Sequence, residues 1–306
     1  MLDPRELYTI VDDVPALDAP VLIHALSGYV DAGEAVRLTS EHLLGAFEHQ
    51  PLVHFDVDQL HDYRARRPAM LFDADHWESY TDPVLDVDAV TDADGNRFLL
   101  LTGPEPDVQW ERYVAAVISL IEHFGVRLTI GLNAIPMAVP HTRPVGLTSH
   151  ASRKELIPDN EPWLSRVQVP ASAGHLLEFR LTQRGFDALG FAVHVPHYVA
   201  QTEFPDAAER LVGAIALASG LALPTDALHS AATAARDEID KQVAESPEAM
   251  ALVSSLEQQY DAYARGRGSD LLAPGAGDLP TGEELGAELE RFLADHTRRQ
   301  RDDRDS

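Results

Sequence analysis

Two polar stretches follow apolar runs in this sequence, and both carry side chains able to act on a ligand. "NAIPMAVPHTRP" (133–144) offers Asn133, His141 and Arg143, and "VPHYVAQTEFPD" (195–206) offers His197 and Tyr198. Two further loops add "SGYVDAGEA" (27–35), with Gly28, Tyr29, Asp31 and Gly33, and "TGPEPDVQW" (102–110), with Glu105. Imidazole and carboxylate side chains can transfer protons, and arginine suits bidentate binding of carboxylate or phosphate. Gly28 and Gly33 would admit a phosphate at a helix start, but the G-x-G-x-x-G spacing is absent and turn geometry accounts for them equally. Asp31 and Glu34 form D-x-x-E, read more simply as an N-cap with its capping-box partner. "DYRARRP" (62–68) concentrates Arg64, Arg66 and Arg67 in an acidic chain, for anion binding or for pairing with Asp56, Asp58, Asp62 or a neighbouring subunit. His194 and His197, three apart on an extended segment, do not share a face cleanly. No metal site and no cofactor are expected.

The elements that must hold these loops are legible from periodicity. "PVLIHAL" (20–26), "PLVHFDV" (51–57), residues 126–132 and "FAVHVPHY" (191–198) read as strands, with "GLTSHAS" (146–152) a weaker one. "VLDVDAVTDADGNRFLLLTG" (84–103) reads as a hairpin around D-G-N. Residues 58–84 show no regular pattern. Helices are expected from about 34 to 47, with Val36, Ser40, Leu43 and Phe47 on one face, and over "PDVQWERYVAAVISLIEHFG" (106–125), capped by Asp107 and ended by Gly125. "AGHLLEFRLTQRGFDAL" (173–189) and "FPDAAERLVGAIALASG" (204–220) read as two more, the second opened by Pro205 with Asp206 and Glu209 as another D-x-x-E. Alternating strands and helices predict an α/β core over 1–224, with a mostly parallel sheet and helices on both faces. A helical hairpin is expected over 225–265, turning at Ser246-Pro247. A linker, a short amphipathic helix and a polar tail follow over 266–306. In open α/β sheets ligands bind beyond the carboxyl ends of the strands, where these four loops leave. A proline-rich segment leaves few backbone donors unpaired, so it can cross those ends rigidly; the alternative is that the prolines only end a strand and line a subunit contact.

Composition excludes several classes. Asp+Glu 50 against Lys+Arg 24 gives a net charge of −26, which opposes nucleic acid and anionic membranes. There is no cysteine, hence no disulfide, thiolate nucleophile or Cys-ligated metal. The N-terminus lacks a signal-peptide pattern, no apolar run approaches the roughly 20 residues of a membrane span, and a cytoplasmic protein is expected. Walker, G-x-S-x-G and H-E-x-x-H motifs are absent. Lys154 and Lys241 are the only lysines, which fits an ATP-dependent ligase poorly.

Taken together, "SGYVDAGEA", "DYRARRP", "TGPEPDVQWERY", "GLNAIPMAVPHTRP", "VPHYVAQTEFPDAAERLV" and "SLEQQYDAYA" resemble the actinobacterial branch of the proteasome assembly chaperone 2 family, over residues 1 to about 265. The resemblance implies a three-layer α/β/α domain of phosphorylase/hydrolase-like type with a C-terminal helical extension, and homo-oligomers, with a trimer favoured. It brings no catalytic residues. It points to a non-enzymatic assembly or scaffold protein with a protein-complex partner; a small-molecule enzyme of nucleoside or phosphate type, using the strand-end cleft, is the alternative. Relatives that dock on proteasomes end in hydrophobic-Tyr-X, whereas this chain ends Arg304-Asp305-Ser306.

Overall fold

The structure, a computed structural model, describes residues 2–28, 30–157 and 166–267, with 266 and 267 described by backbone alone. The expected amphipathic helix, the polar tail and the linker beyond 267 lie outside the described residues, and 266 and 267 continue the last helix. Contacts divide the chain into one unit of Met1–Trp163 with Pro170–Asp261 and a second of Leu164–Val169 with Ala262–Ser306. The first unit holds every strand found among the described residues.

The strands are β1 (Tyr8–Ile10), β2 (Val21–Ser27), β3 (His49–Phe55), β4 (Met70–Asp73), β5 (His76–Tyr80), β6 (Asp86–Thr91), β7 (Arg97–Pro104), β8 (Leu128–Met137), β9 (Leu147–Ala151) and β10 (Ala188–Pro196). Eight of them make one sheet, in the order β1-β3-β6-β7-β2-β8-β10-β9. The inner four, β7, β2, β8 and β10, are mutually parallel, and antiparallel pairs flank them on both sides. The sheet is therefore mixed, with its parallel part at the centre, where both faces are covered.

Strand residues alternate between two cores. Val21, Ile23, Ile130, Leu132, Val193 and Val195 face α1 (Ala35–Ala46) and α4 (Pro205–Ser219). Leu22, Leu99, Leu101 and Ala188 face α2 (Trp110–Phe124) and α3 (Ala173–Arg184). The result is the three-layer α/β/α arrangement. The helical hairpin is present as α5 (Asp226–Ala244) and α6 (Pro247–Arg267), and Leu228, Ala232, Val253 and Leu256 are its buried residues.

Several local expectations hold. The 84–103 segment is the β6–β7 hairpin, whose turn is tied by the Asp92 carboxylate accepting from the amides of Asp94, Asn96 and Ala222. Gly125 ends α2 in the left-handed region, and Pro205 opens α4. Others are corrected. Residues 58–84 are not wholly irregular: they contain a separate two-stranded ribbon, β4 with β5. Four- and five-residue strands are too short for periodicity to declare. Asp107 does not cap α2, because Arg66 and the Asp62 amide occupy its carboxylate. Asp206 lies inside α4 and pairs with Arg236 at 2.8 Å, so its D-x-x-E forms no capping box.

Gly33 shows how tightly the loops at the strand ends are joined. Its φ is +65°, and an added Cβ would lie 2.8 Å from the Cβ of Phe204. Its amide donates to the Ala200 carbonyl and its carbonyl accepts from the Phe204 amide. Gly33→Ala must strain the backbone and push Phe204 aside at once. The expected loss is about 1–3 kcal/mol in chemical denaturation; an unchanged midpoint would show that the loop relaxes freely.

Candidate functional site

The proline segment is extended because much of it is still strand. β8 runs beyond the apolar stretch to Met137, paired in register with β10 up to Pro196. Val195 lies opposite Pro136, and Pro196 opposite Met137, so the two proline-bearing ends finish side by side. The missing N–H groups remove donors that no neighbouring strand would accept there.

Beyond Met137 the chain turns onto the helical hairpin, and its polar side chains are consumed there. His141 is buried; its Nδ1 lies 2.6 Å from the Tyr198 hydroxyl and its Nε2 3.0 Å from Asp240 of α5. The Tyr198 hydroxyl also accepts from the His141 amide at 2.8 Å. That oxygen therefore gives its proton to Nδ1, which leaves Nε2–H to donate to the Asp240 carboxylate. Thr142 donates to Glu257 of α6 at 2.6 Å. Arg143 grips Asp261 with two hydrogen bonds, 2.8 and 2.9 Å, and reaches Glu257 at 3.1 Å. Tyr260 donates to the Pro144 carbonyl. Four successive residues thus fasten α5 and α6 to the strand ends. Burial pushes the Tyr198 phenol up to about 12, so it stays a donor at neutral pH.

The other loops close on themselves in the same way. The Asp31 carboxylate accepts from the amides of Val36 and Arg37 at 2.8 and 3.0 Å, capping α1. It does so across a short 3-10 turn, and Glu34 pairs with Arg37 rather than completing a box. Burial raises the Asp31 carboxyl, against the pull of those amides. Glu105 accepts from the Ala173 amide at the start of α3 at 2.5 Å. Gly28 lets that side chain pass, since an added Cβ would lie 2.5 Å from Glu105 Oε2. Arg66 pairs with Asp107 at 2.7 Å and donates to the Glu105 carbonyl. Arg64, Arg67 and His197 are exposed. Asn133 is half-buried in β8 opposite Ala192. Tyr29 lies outside the described residues. The structure brings Gly28 to Glu105, and His141 to Tyr198. It points His141 and Arg143 at the hairpin.

A polar cluster that sequence reasoning passed over lies on the α3 face of the sheet. His24 of β2 has Gly131 as its register partner, and an added Cβ there would sit 2.7 Å from the imidazole. His150 of β9 faces Gly190 in the same way and meets Glu178 of α3 at 2.8 Å. The His175 and His150 ring centres are 6.5 Å apart, and His175 Nδ1 is buried without a hydrogen-bond partner. The legible signal is a histidine inside the apolar run "PVLIHAL". The glycines that make room for it could be matched to it only by strand register. Burial pulls the His24 imidazole down to about 4, with His175 and His150 opposing its charge and Glu178 favouring it. Among the described residues, no three His, Asp or Glu side chains are grouped to hold a metal ion, and no helix is long and apolar enough to cross a membrane.

The sequence model of the PAC2 family matches residues 25–243. The chain belongs to this family. Among solved structures it is similar to a Mycobacterium tuberculosis protein of unknown function, Rv2714, at 46% identity and TM-score 0.83, over 85% of this chain and 90% of that one. It is similar to a protein of unknown function from Corynebacterium glutamicum ATCC 13032 at 39% identity and TM-score 0.82, over 85% and 98%. The Mycobacterium tuberculosis proteasome-assembly chaperone homologue Rv2125 shares the fold at 24% identity and TM-score 0.70, over 76% and 99%. No curated protein matches. This PAC2 family chain has the family's α/β fold, with C-terminal helices fastened to it through His141, Thr142 and Arg143.

Two measurements probe this fastening and the buried cluster. Tyr198→Phe removes the oxygen that serves both the amide and Nδ1 of His141, and leaves a buried N–H unpaired. The expected loss is about 1–3 kcal/mol, with faster amide exchange in α5 and α6 than in the sheet; uniform exchange would deny the fastening role. His24 supplies a pH signature. The unfolded chain protonates this ring near 6.5 and the folded chain only near 4. The unfolded state therefore takes up more protons between those values, and stability falls as pH drops from about 6.5 to 4. By pH 4 the wild type should lose roughly 3 kcal/mol more, relative to pH 8, than His24→Gln. Parallel pH profiles would contradict the buried neutral ring.

Proposed function

We propose that this PAC2 family chain is a non-enzymatic assembly or scaffold protein, acting as a homo-oligomer on a protein complex. The observation that carries this reading is the use of the strand-end loops. Where an enzyme of doubly wound type holds its substrate, His141 and Arg143 are committed to Asp240, Glu257 and Asp261, and Asp31 and Glu105 to helix starts. A catalytic base must be within reach of the proton it removes, and these groups already have partners. The fold shared with a proteasome-assembly chaperone homologue is in keeping with it. So is the fold shared with a Pyrococcus furiosus archaeal proteasome activator, at 14% identity and TM-score 0.56. A trimer is the stoichiometry we favour, on the family resemblance of the loop motifs. The cytoplasm is the compartment we favour, on the family resemblance of the loop motifs.

A small-molecule binding reading is favoured by one feature, the cluster of His24, His150, His175 and Glu178 under α3. The two readings separate in one experiment. Thermal unfolding is followed with nucleosides, sugar phosphates and inorganic phosphate, and affinity isolation from the native cell extract is run with no ligand added. We expect no ligand to raise the midpoint, and a defined multi-subunit complex to be retained stoichiometrically. Stabilisation by one of those compounds, lost in His175→Ala, would reverse the choice.

A further inference from the structure

Of the four helices that cover the sheet, α3 is the most lightly held. Three of its residues are buried, Ala173, Leu177 and Leu181, against four in α1, eight in α2 and nine in α4. Exposed residues flank it: Pro170 and Ala171 lead in, and Gly185, left-handed at φ +79°, leads out. What lies beneath it is polar. His24 of β2, Gly131 of β8, Gly190 of β10 and His150 of β9 stand in one row across four neighbouring strands. The two glycines offer α3 no side chain, and the imidazoles occupy the space above them.

Charge on those imidazoles would be poorly met. The buried ring of His24 reaches the first turn of α3, where an added Cβ on Gly174 would lie 3.2 Å from it. His175 stands in that same turn, its Nδ1 buried without a hydrogen-bond partner. The first turn is the positive end of the helix dipole, which disfavours a cation. Two carboxylates face the group. Glu178 of α3 meets His150 at 2.8 Å, and Glu105, on the loop after β7, accepts from the Ala173 amide. Glu111 of α2 is taken by Arg180 of α3, and β8 and β10 contribute only glycines to the row. Burial, reinforced by the neighbouring imidazoles, holds both His24 and His175 below the usual histidine range.

We propose that α3 is an acid-released latch, held on the sheet while the imidazoles beneath it are uncharged and lifted from it when they take up protons, with the other layers still folded. An uncovered ring titrates near 6.5 and the covered His24 near 4, so opening takes up protons between those values and is favoured as pH falls through that window. His24 alone multiplies the opening constant roughly 30-fold between pH 8 and 5, and His175 adds in the same direction. Glu178 works against release, because it favours the charged rings while the helix is down. A helix with so few buried residues opens at lower cost than the body of the fold. Release uncovers His24 and the inner side of α3, a face that the closed protein does not present.

The sequence has no cysteine, so one introduced thiol reports one position. Leu177→Cys places it under α3 and Ala116→Cys in α2; both sites are fully buried. Reaction of the full chain with dithiodipyridine is followed from pH 8 to 5, each rate divided by that of the urea-unfolded chain at the same pH. The α3 thiol should lose roughly 30-fold or more of its protection, and the α2 thiol should keep its own. His24→Gln should remove most of that dependence, and His175→Gln, at a half-buried site, should weaken it. Glu178→Gln should move the opening to higher pH. Equal protection of the α3 thiol at pH 8 and 5 would overturn the latch. So would equal losses at both thiols, which is unfolding of the body, or an acid opening unchanged in His175→Gln. Amide exchange of the unsubstituted chain, corrected for intrinsic rates, checks the same point without a new thiol: α3 should diverge from α2 as pH falls, and a constant ratio between them would also overturn the latch.

Discussion

Parallel pairing of β8 with β10, continued through their prolines, is the constraint on which the strand-end architecture depends. It carries two loops out of the sheet together and in fixed register. The proline loop then has only a few residues in which to turn, and His141 lands against Tyr198 of the neighbouring loop. From there one histidine, one threonine and one arginine reach two helices remote in sequence. A looser connection would leave the same side chains in water, where isolated surface ion pairs contribute little. Gathered on one rigid segment, they act as a network.

Charge balance explains why these arginines are not free for substrate. With 24 basic against 50 acidic side chains, carboxylates outnumber their partners about two to one. Arg37 is shared among Glu34, Glu41 and Glu203, Arg143 between Glu257 and Asp261, and Arg112 holds Glu6 together with the Asp3 carbonyl. Among the described residues, Arg64, Arg67, Arg184 and Arg210 are exposed and carry no ion pair, and Arg97 and Arg127 hold backbone carbonyls instead.

Two surfaces stand apart from this network. One is the α3 face of the sheet, where glycines on β8 and β10 make room for imidazoles from β2 and β9. Burial keeps His24 uncharged there and leaves a nitrogen of His175 without a partner. The other is the ribbon, whose bulge replaces an acid with a tryptophan on the apolar face. They differ in kind: the first is a polar cluster partly covered by α3, the second an exposed ribbon carrying large apolar side chains.

The amino-acid sequence by itself determined the layers. Apolar runs in β2, β8 and β10, the spacing of Val114, Val117 and Ile121 in α2, and Gly125 and Pro205 as punctuation are local features, and local sterics and burial fix them. It also placed Asp31 at a helix start and located the proline loop as the distinctive segment. The partners of that loop were decided by tertiary structure. Asp240, Glu257 and Asp261 lie roughly a hundred residues from His141 and Arg143, and no periodicity connects them. The glycines opposite His24 and His150 are meaningful only once register is known. The ribbon is not legible in the sequence because its pattern is broken by one residue: the bulge at Glu78 interrupts the alternation that marks a strand, and only the paired backbone shows that Met70, Phe72, Trp77 and Tyr80 share a face.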